Sequence, residues 1–192
     1  MNKIILNLIK IYNHVRFTGK YKGNLISPFS SISGYQNTHL GKYNNIQSWS
    51  EINSNKGSIY IENKNYFHKN CSILTYGGNI KIGSNNSFNR YVILYGMGNL
   101  VIGDNCRIAS HSVLVSANHI YENKKIAITS QGINKGKIII NSDVWIATRV
   151  TIGPNVEIGQ GCVIGAHSFV NKNTEPYGVY VGTPARKIGE RK

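Results

Sequence analysis

Acidic residues are scarce: eight Asp and Glu stand against twenty-two Lys and Arg in 192 residues, a formal net charge of +14 at pH 7. That balance directs the chain toward anionic partners and leaves four classes open: nucleic acid, a membrane surface, a polyphosphate cofactor or an acidic glycan. Cysteine is scarce too. Cys71, Cys106 and Cys162 form an odd set without a C-x-x-C pair, and their spacing fits no zinc signature, so reduced thiols in the cytoplasm are expected. No run reaches the roughly 18 apolar residues of a membrane span. Residues 1–8 are interrupted by Asn2, Lys3 and Asn7 with no small-residue cleavage site, so a secretory leader is not expected either. Charged residues make up 16% of the chain and hydrophobic ones 41%, which excludes disorder, while 20 glycines disfavour a helical bundle. A strand-and-turn protein remains, and a chain of this length can bury about 70% of its unfolded surface in one core, so one domain is expected.

What is present is a six-residue repeat. Ile140, Ile146, Ile152, Ile158, Ile164 and Val170 recur without a miss, and shorter runs precede them: Ile102, Ile108, Leu114; Ile82, Phe88, Leu94; Ile61, Phe67, Ile73; Leu40, Ile46, Ile52. Six matches neither the 3.6 of a helix nor the 2 of an isolated strand, but it suits a short strand and a sharp corner repeated three times per coil. The residue four further on should also face the narrow interior and be small or β-branched, as Val144, Val150, Val156, Cys162, Ser168, Cys106, Ser112, Val92 and Cys71 are. All three cysteines occupy this slot and read as packing residues. Gly83, Gly103, Gly153, Gly159 and Gly165 follow register residues and supply corner geometry.

Two segments break the rhythm. In residues 1–23, Ile4, Leu8, Ile11 and Val15 share one helical face, which predicts an amphipathic cap on the open end of the solenoid; a membrane-surface role is its secondary reading. Residues 116–137 are too long for a corner and predict a protruding functional loop. The expected layout is therefore a cap at 1–23, a solenoid at 24–181 carrying the loop, and a basic tail at 182–192.

The stretch IGDNCRIASHSVLVSANHIY, followed after the loop by NSDVWIATRVTIGPNVEIGQGCVIGAHSFVNKNTEPYGVYVGTPARKI, resembles the hexapeptide-repeat acyltransferases. Within them it is similar to the galactoside and maltose O-acetyltransferases and to the capsule and O-antigen O-acetyltransferases of bacteria. The resemblance covers roughly residues 80–190 and implies an all-β, left-handed parallel β-helix, usually a homotrimer with acetyl-CoA and the acceptor meeting between subunits. Handedness rests on this resemblance alone, since ordinary parallel crossovers are right-handed.

Residue by residue, His119 in SANHIY matches the family's histidine and is the expected general base, because a sugar hydroxyl must lose its proton as it attacks a thioester. His111 is the reserve base, and His167 is a candidate CoA contact. Asn89 in SFNRY matches an asparagine that positions the acceptor from the neighbouring subunit. Trp145 and Thr148 in VWIAT match the stretch flanking the thioester, with a backbone amide at Thr148 for the oxyanion and Trp145 walling the acceptor cleft; Ala147 stands where relatives usually have glycine. The CoA arm continues through Ala166 and Asn171 to Gly182, Pro184, Ala185, Arg186 and Lys187, whose cations suit phosphates. Asn171 replaces the family's usual threonine or serine. Lys124 and Lys125 in the loop are expected to meet the acceptor.

The function so implied is acetyl transfer from acetyl-CoA to a sugar hydroxyl of an acidic cell-surface polysaccharide or its precursor, without a metal and without a covalent enzyme intermediate. Three alternatives stay open: N-acetylation of a nucleotide-linked aminosugar, acetylation of an antibiotic, and a basic scaffold or nucleic-acid module. Nucleic acid is disfavoured because the basic residues are scattered and the aromatics show no stacking motif.

Overall fold

The six-residue register points inward, and each of its three phases forms a column. Ile46, Phe67, Phe88, Ile108, Ile146 and Ile164 stack in the first, each at most 1% exposed. Ile52, Ile73, Leu94, Leu114, Ile152 and Val170 form the second, and Ile61, Ile82, Ile102, Ile140 and Ile158 the third. In the computed structural model, which describes residues 20–192 and Ile4, these columns line the three walls of a triangular prism. The amphipathic cap expected over residues 1–23 falls, except for Ile4 and its last four residues, outside the described residues.

Each wall is a sheet of strands two to five residues long, closed at the C-terminal end by one of six. A first sheet of nine strands, a second of seven and a third of six are built from consecutive turns of the chain. The fold is the expected left-handed parallel β-helix. Alternation along each short strand sends one residue in and its neighbours out. Every interior coil hydrogen-bonds above and below, which leaves open edges only at the ends. At the C-terminal end, Ala185–Glu190 folds back antiparallel on Gly178–Gly182, so the segment expected as a basic tail is a strand of the first sheet.

Coil length changes along the axis. Stacked Cα partners are 21 residues apart in an N-terminal coil, as Asn45 and Tyr66 are, but 18 apart in a C-terminal one, as Trp145 and Val163 are. The wider coils hold Phe67 and Phe88, stacked face to face with ring centroids 4.6 Å apart. Their extra residues lie at the corner between the second and third sheets, where the register lengthens from six residues to nine between Ile73 and Ile82 and to eight between Leu94 and Ile102.

The fourth-residue slot departs from expectation in these coils. At the corner between the third and first sheets it holds Asn44, Asn65 and Asn86, all at most 2% exposed. Each side-chain amide donates to a carbonyl of the coil above, Asn65 to Gly83 at 2.8 Å and Asn86 to Gly103 at 2.9 Å. Each side-chain oxygen accepts from the next ladder residue, Asn65 N–H to Asn44 at 2.9 Å and Asn86 N–H to Asn65 at 2.9 Å. Cys106 ends the run by donating its N–H to Asn86. A buried polar side chain is tolerated here because both its ends are paired. The cysteines pack as expected: all three are buried, and burial pushes the Cys71 thiol up to about 12 and Cys106 up to about 11.

Candidate functional site

The long loop leaves the prism at the corner that the N-terminal coils widen. Its root is pinned by Ser116, whose hydroxyl donates to the Tyr95 carbonyl at 2.7 Å and accepts from the Gly98 N–H at 2.9 Å. A Cβ on Gly98 would lie 2.1 Å from the Ser116 carbonyl oxygen and 2.5 Å from the Gly136 nitrogen, so only glycine lets the backbones approach this closely. Above the root, Ala117–His119 pairs antiparallel with Ile133–Lys135, setting His119 opposite Ile133. Gln131 closes the tip by donating to the carbonyls of Asn123 and Ile126 and accepting from the Asn123 N–H.

His119 is exposed and borders a cavity of about 240 Å³ whose other walls are Tyr76, Tyr95, Met97, Val115, Ala117, Asn118 and Ile133. The rings of Tyr76 and Tyr95 meet at 5.3 Å and 54°. An imidazole thus sits beside an apolar wall of rings suited to the face of a small cyclic molecule. Sequence reasoning missed Tyr76, Tyr95, Met97 and Ile133. The signal for the first three was the lengthened register that carries them.

The remaining expected residues divide between edges of the prism. Asn89, Thr148 and Ala166 lie on the edge between the first and second sheets, as the pairing of the preceding strands shows. The Thr148 hydroxyl donates to the Ser110 carbonyl at 2.7 Å, and its carbonyl accepts from the His167 N–H, so the group it offers an oxyanion is its backbone N–H. Trp145 stands on the outer face of the first sheet, 53% exposed, which places it outside the core. His119 and the exposed Asn171 lie on the next edge, across the second sheet. One chain therefore gathers Asn89, Thr148 and Ala166 and separately carries His119. His111 stacks on Tyr91 at 4.8 Å and does not border the cavity. Lys124 and Lys125 are exposed near the tip of the loop, outside the cavity lining.

At the C-terminal end the two cations differ. Arg186 is exposed, and among the described residues its guanidinium donates to the Ala185 carbonyl at 2.8 Å and meets no carboxylate. Lys187 is held by Glu175 at 2.5 Å and Glu190 at 2.6 Å, and the hydrogen bonds it donates to both carboxylates push its pKa above the ordinary lysine value. A phosphate would compete with two carboxylates for Lys187 but with none for Arg186.

Residues 137–172 match the family model described as bacterial transferase hexapeptide (six repeats). The chain is 36% identical over 117 residues to the galactoside O-acetyltransferase of Escherichia coli K12, covering 60% of this chain and 56% of that one. It is 37% identical over 108 residues to a probable macrolide acetyltransferase of Lysinibacillus sphaericus, covering 48% and 60%. The chain spans about half the length of the curated relatives it matches. Among solved structures, an N-acyltransferase of Bacillus cereus, AntD, in complex with dTDP and 3-hydroxybutyryl-CoA, superposes with a TM-score of 0.66 at 25% identity, covering 94% of this chain and 88% of that one.

Proposed function

Because the chain belongs to the hexapeptide-repeat family of bacterial transferases, we propose that it moves an acetyl group from acetyl-CoA to a hydroxyl of a sugar acceptor, an acidic cell-surface polysaccharide or its precursor. The observation that carries this reading is His119, exposed at the root of the loop and bordering a ring-lined cavity. The acceptor oxygen attacks the thioester carbonyl while its proton passes to the His119 imidazole. The C–S bond then breaks and the imidazolium returns the proton to the departing CoA sulfur. The Thr148 N–H stabilises the oxyanion, an interaction worth roughly 3 to 4 kcal/mol in comparable sites. Arg186 takes a CoA phosphate, with Ala166 on the pantetheine path and Asn171 beside it.

The distribution of residues over two edges supports a homotrimer, in which His119 of one subunit faces Asn89 and Thr148 of the next. A single prism with its cavity on one edge and Asn89 on another cannot apply both groups to one acceptor.

A second reading is N-acylation of a nucleotide-linked aminosugar, favoured by the coverage of 94% of this chain in the match to the N-acyltransferase. Mild hydroxylamine separates the two readings, because it cleaves an acetyl ester and spares an amide. His119→Ala should fold normally yet lose at least about a hundredfold in transfer. Mixed trimers of His119→Ala and Asn89→Ala subunits should regain part of the activity, because some sites then receive both native residues. Near-native turnover by His119→Ala, with His111→Ala inactive instead, would reassign the base.

A further inference from the structure

The edge that carries Asn89, Thr148 and Ala166 continues below them into the N-terminal coils. There its outermost position forms one column: Phe29, Trp49, Asn70, Tyr91, His111, Arg149 and His167, in the register set by the strands just before it. Phe29 stacks on Trp49 at 5.4 Å and 28°, and Tyr91 on His111 at 4.8 Å and 13°. Trp49 is 64% and Tyr91 47% exposed, so the rings bury little of themselves in return for their position.

That position is costly. Trp49, Tyr91 and His111 hold φ between 63° and 66°, in the left-handed region that suits Asn and Gly and strains a bulky side chain. Asn70, in the same column at φ 63°, is the inexpensive solution. The corresponding left-handed column between the third and first sheets mixes such residues, Asn85, Asn105, Asp143 and Gly161, with the bulkier Tyr43, Lys64 and Tyr177.

Charge is segregated in the same direction. The corner segments 27–30, 47–50, 68–71, 89–92, 109–112, 147–150 and 165–168 contain no Asp or Glu, but they do contain Lys69, Arg90 and Arg149; Glu51 is the nearest acid in sequence. Glu62, Asp104, Asp143 and Glu175 lie instead at the corner between the third and first sheets. On the adjoining first sheet a groove of about 320 Å³ is lined by Leu25, Gln47, Ser48 and Lys69.

We propose that the ridge from Tyr91 down to Phe29 is a docking track for an extended anionic glycan, whose end reaches Asn89 as the acceptor. The idea rests on the reading of the protein as a sugar acetyltransferase and adds to the reacting sugar a surface that holds the rest of the polymer. Coils rise by about 4.8 Å, so Trp49 and Tyr91, two coils apart, offer stacking surfaces about 10 Å from each other along the axis. Apolar sugar faces rest on the rings while Lys69 and Arg90 meet carboxylates, an attraction that weakens with salt. Single-stranded nucleic acid also stacks on rings beside cations, but the ridge leads into the stretch that carries Asn89 and Thr148, where a sugar hydroxyl is required.

Calorimetry on the whole protein without acetyl-CoA tests the track, using oligogalacturonides of two and eight sugars. The longer probe should bind at least about tenfold tighter at low salt. Trp49→Ala and Lys69→Ala should each remove at least about fivefold of that gain and leave the two-sugar probe unchanged. The proposal is overturned if either variant keeps the full length dependence, or if polyglutamate or oligothymidylate binds as tightly as the eight-sugar probe. It also falls if light scattering shows that Trp49→Ala dissociates the assembly, since the ridge is then a subunit contact. Acetyl transfer to a monosaccharide, assayed separately, reports on the catalytic reading alone.

Discussion

Replacing Asn65 isolates hydrogen bonding from packing at the corner between the third and first sheets. Its side chain donates to the Gly83 carbonyl at 2.8 Å and accepts the Asn86 N–H at 2.9 Å, in a site 1% exposed. Asn65→Ala strands both backbone groups away from water, at about 1 to 3 kcal/mol each, so a loss of about 2 to 6 kcal/mol is expected. Asn65→Val refills the slot with the residue that Val144 supplies in a later coil, yet it restores neither partner, and it should cost about as much as alanine. Asn65→Asp adds a pH signature. A buried aspartate has its folded pKa raised above the unfolded value near 3.9, so its stability is present at low pH, where the neutral acid can still donate, and is lost as pH rises through the folded pKa. Urea unfolding followed by far-ultraviolet circular dichroism, with m held equal, gives the three values. If Asn65→Val recovers to within about 1 kcal/mol of the native protein, the corner is held by volume and the argument from hydrogen bonds is wrong.

Gly98→Ala should destabilise the root of the loop and reduce transfer together, because the new Cβ meets only backbone atoms, at Ser116 and Gly136; a crystal structure of the variant with His119 unmoved would refute this. Tyr95→Ala should raise the acceptor KM about tenfold while changing kcat little, since it removes a wall of the cavity and no proton-transfer group. Iodoacetamide at pH 8 should leave Cys71 and Cys106 unmodified until the chain is unfolded, as mass spectrometry will show. The same two thiols make the fold sensitive to alkali. Their folded pKa values exceed the unfolded one, so their contribution is intact below about 9 and is lost as pH rises toward 11 and 12.

The β-helix was legible because its signal is periodic and local. Inward residues such as Ile140, Ile146 and Ile152 recur at a spacing that any one coil displays, and the cysteines fell into the packing slot for the same reason. The asparagine ladder was not legible, since an isolated Asn at a corner reads as a turn former, as Asn85 and Asn105 are. Only the stacking of Asn44, Asn65 and Asn86, about twenty residues apart in sequence, turns three corner residues into one buried chain of hydrogen bonds. His119 was singled out through its motif, but the rings beside it lay in coils where the register stretches, and their convergence depends on the prism being wound.

The sequence by itself determined the columns of the core, the place where the loop leaves them and the residue types that suit acyl transfer, because each is written within one coil or one motif. Tertiary structure decided which of those residues meet. It set His119 among Tyr76, Tyr95 and Met97, held Lys187 between Glu175 and Glu190, and aligned Trp49 with Tyr91 on an edge without acids. Proximity across coils is fixed by the number of residues per turn and by the hairpin registers, and the amino-acid types alone do not specify those.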